Sequence, residues 1–251
     1  MITGSYKDND ILKTTTDFYV HFLSHSHILE KFNIFYTNDI MKDIAHFNDG
    51  HNSSILCDGV TIFPTSEGEK LTILINQDAP IEFQAQYIFH ELSHVNDFVL
   101  FANKYCNGDL FYIRENKYFS TLKYWSEFHV QLYVMPYNHL YLRELRDKNC
   151  YDEFIKRIPI YYDEFGKQIP DYYAQSNNIF FQREEIELLD IMYYIGKIAM
   201  CNLYDNNVNY IIHEKISDTY PFIDNLKQIL CKCLDFESFC KHINDLYDFL
   251  G

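Results

Sequence analysis

Apolar residues recur at helical spacing over residues 78–108 of this chain. Asp78-Ala79-Pro80 is a helix-start signal, and Asn107-Gly108 is a helix-stop signal. Between them one apolar face repeats at intervals of four and three residues, and a second apolar set lies on other faces: Ile88, Leu92, Val95, Val99 and Ala102, then Phe83, Tyr87, Phe98 and Phe101. Because a helix that is apolar on most sides is a buried helix, we expect this segment to run through the core.

The remaining pattern predicts an α+β fold in which a small mixed sheet packs on this helix and the carboxyl half is helical. Predicted strands cover 33–37, 59–63 and 71–75, with a turn at 66–69 between the last two. Predicted helices cover 10–31, 38–47 (capped near Asn38-Asp39), 119–147 (bent at Pro136) and 180–200, followed by two or three shorter ones. Residues 158–178, rich in Tyr, Asp and Pro, are expected to form a loop, a subdomain boundary or a cover over a cleft. This division predicts one region at 1–157, which contains the buried helix, and a helical subdomain at 158–251.

Composition excludes several classes of protein. The chain has 251 residues, of which 47% are apolar, so it can bury a sizeable core. Its net charge of −15 argues against nucleic acid and against anionic membrane surfaces as partners. No run of residues approaches a membrane span, and residues 1–10 lack an apolar signal core. Seven cysteines without a CxxC pair fit buried thiols in a reduced compartment, so we expect a cytoplasmic protein.

Ionisable residues interrupt the predicted buried helix, where His90-Glu91-Leu92-Ser93-His94 spells HExxH. Residues four apart lie on one helical face, so His90 and His94 can hold one metal ion. Glu91 lies beside them and can act as a general base on a water molecule. Buried ionisable groups require partners, and a metal would supply one. The motif therefore predicts a metal site on a core helix.

A third ligand must come from elsewhere, because catalytic zinc usually has three protein ligands. The metzincin pattern is excluded, since it needs Gly and His where Asp97 and Leu100 stand. Glu127, in the most apolar part of the predicted 119–147 helix, is one candidate. Cys57, upstream of HExxH, and Asp97 itself are others. A separate set, His21, His25 and His27, has no Glu base nearby, and we interpret it as surface or packing residues.

HExxH followed by a helix bearing a Glu in an aromatic setting resembles the gluzincin metallopeptidases. Residues 95–126, which are 32 positions, separate the two parts. The resemblance implies a zincin-like fold and one zinc ion per chain, with His90, His94 and Glu127 as ligands and Glu91 as the base. It also implies a peptide or protein substrate, aligned by strand addition along 71–75. The compact arrangement is more loosely similar to minimal peptidases of the ImmA/IrrE type.

The chain departs from that family in two places. Thermolysin-like members have an Asp four residues after the ligand Glu, where Gln131 stands here, and Asp97 is a possible substitute in orienting a ligand histidine. No residue matches the group that stabilises the transition state, so proximity alone suggests Tyr124, Tyr133 and His129. Two alternatives stay open: a non-catalytic zinc-binding sensor or interaction protein, and another zinc-dependent amide hydrolase, such as a deformylase that binds metal through Cys57.

Overall fold

The computed structural model describes residues 11–47, 58–146, 151–182, 186–205 and 207–250. Over these residues the protein is mostly helical and has one small sheet, which confirms the α+β class. The strands are β1 Phe32–Thr37, β2 Gly59–Ile62 and β3 Leu71–Asn76. The helices are α1 Ile11–Asp17, α2 Ile40–Phe47, α3 Ile81–Tyr105, α4 Phe119–Gln131, α5 Val134–Arg146, α6 Tyr151–Gly166, α7 Ile169–Phe181, α8 Leu188–Tyr204, α9 Glu214–Thr219, α10 Ile223–Leu230 and α11 Phe236–Leu250.

The chain divides into two compact units, residues 1–119 and 120–251. Residue 157, where composition suggested a change of region, lies inside α6. The division into a region at 1–157 and a helical subdomain at 158–251, and a catalytic role for the first, stay predictions. Among the helices that the structure describes, none is both long and apolar enough to cross a membrane.

The sheet of the first unit is mixed and has the order β1-β3-β2. β3 pairs in parallel with β1 and antiparallel with β2, with Leu71 opposite Phe32 and Ile75 opposite Gly59. Four of the six side chains of β3 are buried, as expected for a central strand with helices on both faces. α3 packs against β2 and β3, and α2 packs against the same two strands. The predicted sheet on the 78–108 helix is therefore confirmed.

The side chains of β2 alternate between the two faces of the sheet, so each face has a different set of residues. Ile62 joins Leu74 of β3 and Ile40 and Ile44 of α2 in one buried cluster, against which Val60 also packs. Since successive strand side chains point to opposite faces, Gly59 and Thr61 occupy the face toward α3. A glycine and a threonine thus lie on the face of β2 that packs against α3, where apolar side chains are usual.

The expectation that residues 71–75 align a peptide by strand addition is wrong. These residues form the central strand β3, whose backbone groups pair with β1 on one side and β2 on the other. An added strand requires a sheet edge with unpaired N–H and C=O groups. Within the described sheet, the edges are β1 and β2.

Helices α5 to α11 and nearly all of α4 form the second unit, whose core includes Trp125. The Trp125 ring stacks on Phe239 at a centroid distance of 4.1 Å, and its Nε1–H donates to the Cys233 carbonyl oxygen at 2.7 Å. Gly196 of α8 lies against α4 so closely that an added Cβ would be 2.6 Å from the Phe128 carbonyl oxygen. These contacts fix the rotation of the helix that carries Glu127.

The expectation of a loop at residues 158–178 is wrong, because these residues lie almost entirely in α6 and α7. The alternatives of a subdomain boundary or a cover over a cleft stay predictions. Tyr161, Phe165 and Ile169 recur every four residues and are fully buried. Burial of this stripe outweighs a composition rich in Tyr, Asp and Pro. Pro170 is tolerated because it lies in the first turn of α7, where its missing N–H has no intrahelical acceptor.

Other helix boundaries differ from prediction in detail. The 10–31 segment is α-helical only over α1 and continues as a π-turn at Phe18–Phe22 and a 3₁₀ turn at Ser26–Ile28. The 119–147 segment is two helices, α4 and α5, which places a break just before Pro136. The predicted 180–200 helix begins only at Leu188. Three shorter helices follow it, as expected. The turn into α2 is capped as predicted, since the Lys42 amide donates to Asp39 Oδ1 at 3.1 Å.

Candidate metal centre

Both ends of α3, the helix that carries HExxH, are built by its local sequence. At the start, the Asp78 amide donates to Asn76 Oδ1 at 3.0 Å, and Pro80 rather than Asp78 occupies the N-cap position. At the end, Asn107 and Gly108 have φ values of 52° and 82°, and the Gly108 amide donates to the Ala102 carbonyl oxygen at 2.9 Å. The predicted apolar face is fully buried, whereas Phe83 of the second set is 44% exposed. The site therefore lies on a core helix, as expected.

His90 and His94 turn their rings toward a common point. Their Nε2 atoms are 3.0 Å apart, and their ring planes stand at 84° to each other. His94 is buried and His90 is half-buried. Two nitrogen ligands of a tetrahedral zinc ion, each bonded at about 2.0–2.1 Å, lie about 3.3 Å apart. The pair is therefore close to the separation that one ion requires.

Glu127 is the candidate third donor, and its role as a ligand stays a prediction. One ligand atom from each of His90, His94 and Glu127 lies within 4.8 Å of the others, so the three could hold a metal ion. Among the residues that the structure describes, this is the one such group of three or more potential ligands. The histidines of the amino-terminal segment form none: the His25 ring stacks on Tyr19 at 4.4 Å and meets His27 edge-on.

Glu91 is buried, with 5% of its surface exposed, and does not belong to this ligand group. Its Oε2 accepts a hydrogen bond of 2.8 Å from the hydroxyl of Thr61 on β2. On the same strand, the position of an added Gly59 Cβ would be 3.1 Å from both Cγ and Oε1 of Glu91. The Glu91 carboxylate, which lies next to the candidate ligands, is thus held by a hydrogen bond from the sheet.

The prediction from sequence missed Thr61 and Gly59, although their positions carried a signal. Strand 59–62 alternates between apolar residues and the pair of Gly and Thr. A small residue and a hydroxyl on the face of a strand that packs against a helix indicate that something polar packs there. The identity of that polar group, Glu91, depends on how β2 lies against α3.

Three of the weaker candidates, Asp97, Tyr124 and Gln131, lie on α3 and α4. Asp97 is one turn beyond His94 and has no exposed surface. Gln131, one turn beyond Glu127, lies with its Cβ and Cγ against Gly196. Tyr124 is half-exposed on α4. Roles for these three in orienting ligands or stabilising charge stay predictions.

Tyr133 and His129 contact other parts of the second unit. The Tyr133 hydroxyl donates to the Leu234 carbonyl oxygen at 3.3 Å. The His129 ring stacks on Trp125 at 4.5 Å and meets Tyr133 edge-on. Their assignment to the transition state, made from proximity in sequence, stays a prediction. Cys57, the alternative ligand, lies outside the described residues.

A polar network lies one turn before the histidines on α3. Asp58 accepts hydrogen bonds from the Asn76 side chain, at 2.9 Å, and from the Tyr87 hydroxyl. Burial raises the pKa of Tyr87 to about 12, and the hydrogen bond to Asp58 and the charge of that carboxylate act in the same direction. Tyr87 therefore stays neutral through the physiological range and joins α3 to the residue before β2.

Comparison with protein-family models, with curated proteins and with solved structures finds no match for this chain.

The residues present fit a zinc ion. Two imidazoles and one carboxylate are a ligand set of catalytic zinc, and the paired Nε2 atoms already converge. Three protein ligands leave one coordination position for water, whereas a structural zinc site usually fills all four positions with protein. The chemistry of the described donors thus favours an open site.

Proposed function

We propose that this chain is a zinc-dependent metallopeptidase that hydrolyses peptide bonds with Glu91 as the general base. The observation that carries the proposal is the grouping of one ligand atom each from His90, His94 and Glu127 within 4.8 Å, with the buried Glu91 carboxylate next to His90 on α3. The fold is proposed to be zincin-like, of the gluzincin type.

In this mechanism the metal ligands and the general base are different residues. His90, His94 and Glu127 would hold the ion, which when bound supplies a Lewis acid that polarises a peptide carbonyl and acidifies water. Glu91 accepts the proton of the attacking water and delivers it to the leaving amine. Its burial excludes bulk water and strengthens this electrostatic interaction.

The substrate is proposed to be a peptide or protein. β2 is an edge strand and contacts Glu91 through Thr61, so it is the strand suited to strand addition beside the base. The net charge of −15 makes basic peptides the first class to screen.

Elemental analysis of purified protein tests the metal site. We expect about one zinc per chain in the parent protein. Glu127→Ala should lose zinc or bind it much more weakly, because two histidines alone do not complete a catalytic site. Glu237→Ala is the matched control, since Glu237 is an exposed residue of α11 that pairs with Lys241 at 2.7 Å. Full zinc retention in Glu127→Ala would remove Glu127 from the ligand set.

Turnover of a peptide library tests the enzyme assignment separately. Glu91→Gln should keep its zinc and lose hydrolysis, because an amide cannot accept the water proton. Hydrolysis by Glu91→Gln at the parent rate would exclude the mechanism. A parent protein that binds zinc through four protein ligands and cleaves nothing would instead favour the non-catalytic sensor.

A further inference from the structure

We infer that Thr61 is a positioning residue for the Glu91 carboxylate, and that Gly59 provides the space this carboxylate occupies. The inference rests on the proposed function for its catalytic meaning, but the contact itself can be tested without any activity. Both residues belong to β2, and no sequence motif points to either of them.

The two oxygens of Glu91 have different surroundings. Oε2 accepts the Thr61 hydroxyl at 2.8 Å, whereas the backbone oxygen of Glu91 is farther from that hydroxyl, at 3.4 Å. Since a hydroxyl has one proton to donate, the Thr61 hydroxyl donates it to Oε2, which is the nearer acceptor. Oε2 is thus fixed by the strand, and Oε1 is the oxygen left to accept the water proton.

Gly59 explains where Oε1 lies. Gly59 is not among the glycines with positive φ, so its backbone conformation does not require glycine. Its requirement is spatial, because a Cβ there would approach Oε1 and Cγ of Glu91 to 3.1 Å and the side chain would have to shift by a few tenths of an ångström. Between them, the missing Cβ of Gly59 and the hydroxyl of Thr61 set the plane of the carboxylate.

Burial makes this arrangement costly without a hydrogen-bond donor. Glu91 is 5% exposed and faces a sheet whose neighbouring side chains on β3, Ile73 and Ile75, are apolar and fully buried. A buried carboxylate that lacks a donor is strongly destabilised. The Thr61 hydroxyl therefore serves the fold and the base at once, so the experiment must separate these two roles.

A double-mutant cycle on zinc-free protein tests the contact. Thr61→Val removes the hydroxyl at nearly constant shape and should lower the melting temperature in the parent background. In a Glu91→Ala background the same change should have little effect, because no carboxylate remains to be held. Additive shifts in melting temperature would overturn the contact. Thr72→Val is the matched control, since Thr72 lies on β3 on the opposite face of the sheet.

Kinetics of the zinc-loaded protein test positioning. Thr61→Val should lower kcat about 10- to 100-fold with KM and zinc content nearly unchanged, because a misplacement of about 1 Å can cost two orders of magnitude. Thr61→Ser, which restores a hydroxyl, should recover most of kcat. Gly59→Ala should lower kcat about tenfold, in keeping with the smaller displacement.

The possible failures are distinguishable. A parent protein without peptidase activity but with intact coupling between Thr61 and Glu91 would count against the proposed function and not against the contact. Unchanged kcat in an active Thr61→Val enzyme would overturn the positioning role. So would failure of Thr61→Ser to recover activity while Thr61→Val and Thr61→Ser fold equally well.

Discussion

Replacing Gly196 by alanine tests how the helix bearing Glu127 is held in place. Gly196 is buried in α8, and a Cβ there would lie 2.6 Å from the Phe128 carbonyl oxygen and 2.7 Å from Gln131 Cβ. Ordinary contacts between carbon atoms are about 3.5–4.0 Å. Neither obstacle is the end of a flexible side chain, so α8 and α4 have to separate by about 1 Å.

Two opposing effects set the magnitude. Overpacking in a core costs about 1–3 kcal/mol, and exchanging Gly for Ala in a helix interior returns about 1 kcal/mol. Because the obstruction is backbone and Cβ, the cost belongs in the upper half of its range. The free energy of unfolding should therefore fall by about 1–2 kcal/mol. For a chain of this size that lowers the melting temperature by about 2–8 °C.

Thermal unfolding followed by circular dichroism measures this change. Leu203→Ala, on the same helix at a side chain that is 41% exposed, is the control and should change stability by less than about 0.5 kcal/mol. Zinc titration gives a second readout, since Phe128 follows Glu127 and its displacement should weaken metal binding. A Gly196→Ala protein as stable as the parent would show that α8 does not approach α4 at backbone distance.

Three further predictions follow from other contacts. Trp125→Phe should lower the free energy of unfolding by about 2–4 kcal/mol in urea titrations, because it leaves a cavity and removes the hydrogen-bond donor of the buried Cys233 carbonyl. An unchanged urea midpoint would contradict the hydrogen bond between Trp125 and Cys233. Zinc at about 100 times its Kd should stabilise the parent by about 2.7 kcal/mol in calorimetry and a chelator should reverse this, whereas His94→Ala should respond to neither. The pKa of Tyr87 in the folded protein, about 12, exceeds the ordinary value of 10.0, so the stability that Tyr87 contributes is complete below pH 10 and is lost as the pH rises toward 12. In alkaline unfolding, Tyr87→Phe should therefore lose less stability than the parent between pH 10 and 12. An equal loss in both proteins would refute the raised pKa of Tyr87.

Local signals in the sequence were enough to locate the helix and the candidate metal ligands on it. The boundaries of α3 follow from Pro80 and Asn107-Gly108, and its burial follows from a repeat of apolar residues every three or four positions. His90 and His94 face each other because helical geometry requires it. Each of these features depends on residues close together in the chain, which is why a pattern predicts them.

Features that depend on distant residues were predicted less well. The exposed edges of the sheet depend on pairing between residues about 40 apart, such as Phe32 with Leu71, so the central position of β3 was not apparent from its own sequence. At 158–178 the local pattern was sufficient, but the prediction followed composition instead. Composition suggested a loop, while the stripe of Tyr161, Phe165 and Ile169 was sufficient to bury a helix.

The buried and half-buried polar residues of α3 fall into two groups, those that serve the fold and those that indicate chemistry. Ser93 returns its hydroxyl proton to its own helix, at the Phe89 carbonyl oxygen 2.7 Å away, so its burial costs little and requires no further explanation. Glu91 takes a donor from β2 and displaces apolar packing from that face of the sheet. His90 and His94 turn ring nitrogens toward each other, although only one proton can lie between two such atoms. A helix selected for stability alone would carry apolar side chains at these three positions. The cost is concentrated at the residues that the proposed metal ion and general base would use. Zinc titration and the Thr61–Glu91 double-mutant cycle therefore test whether this cost has a catalytic reason.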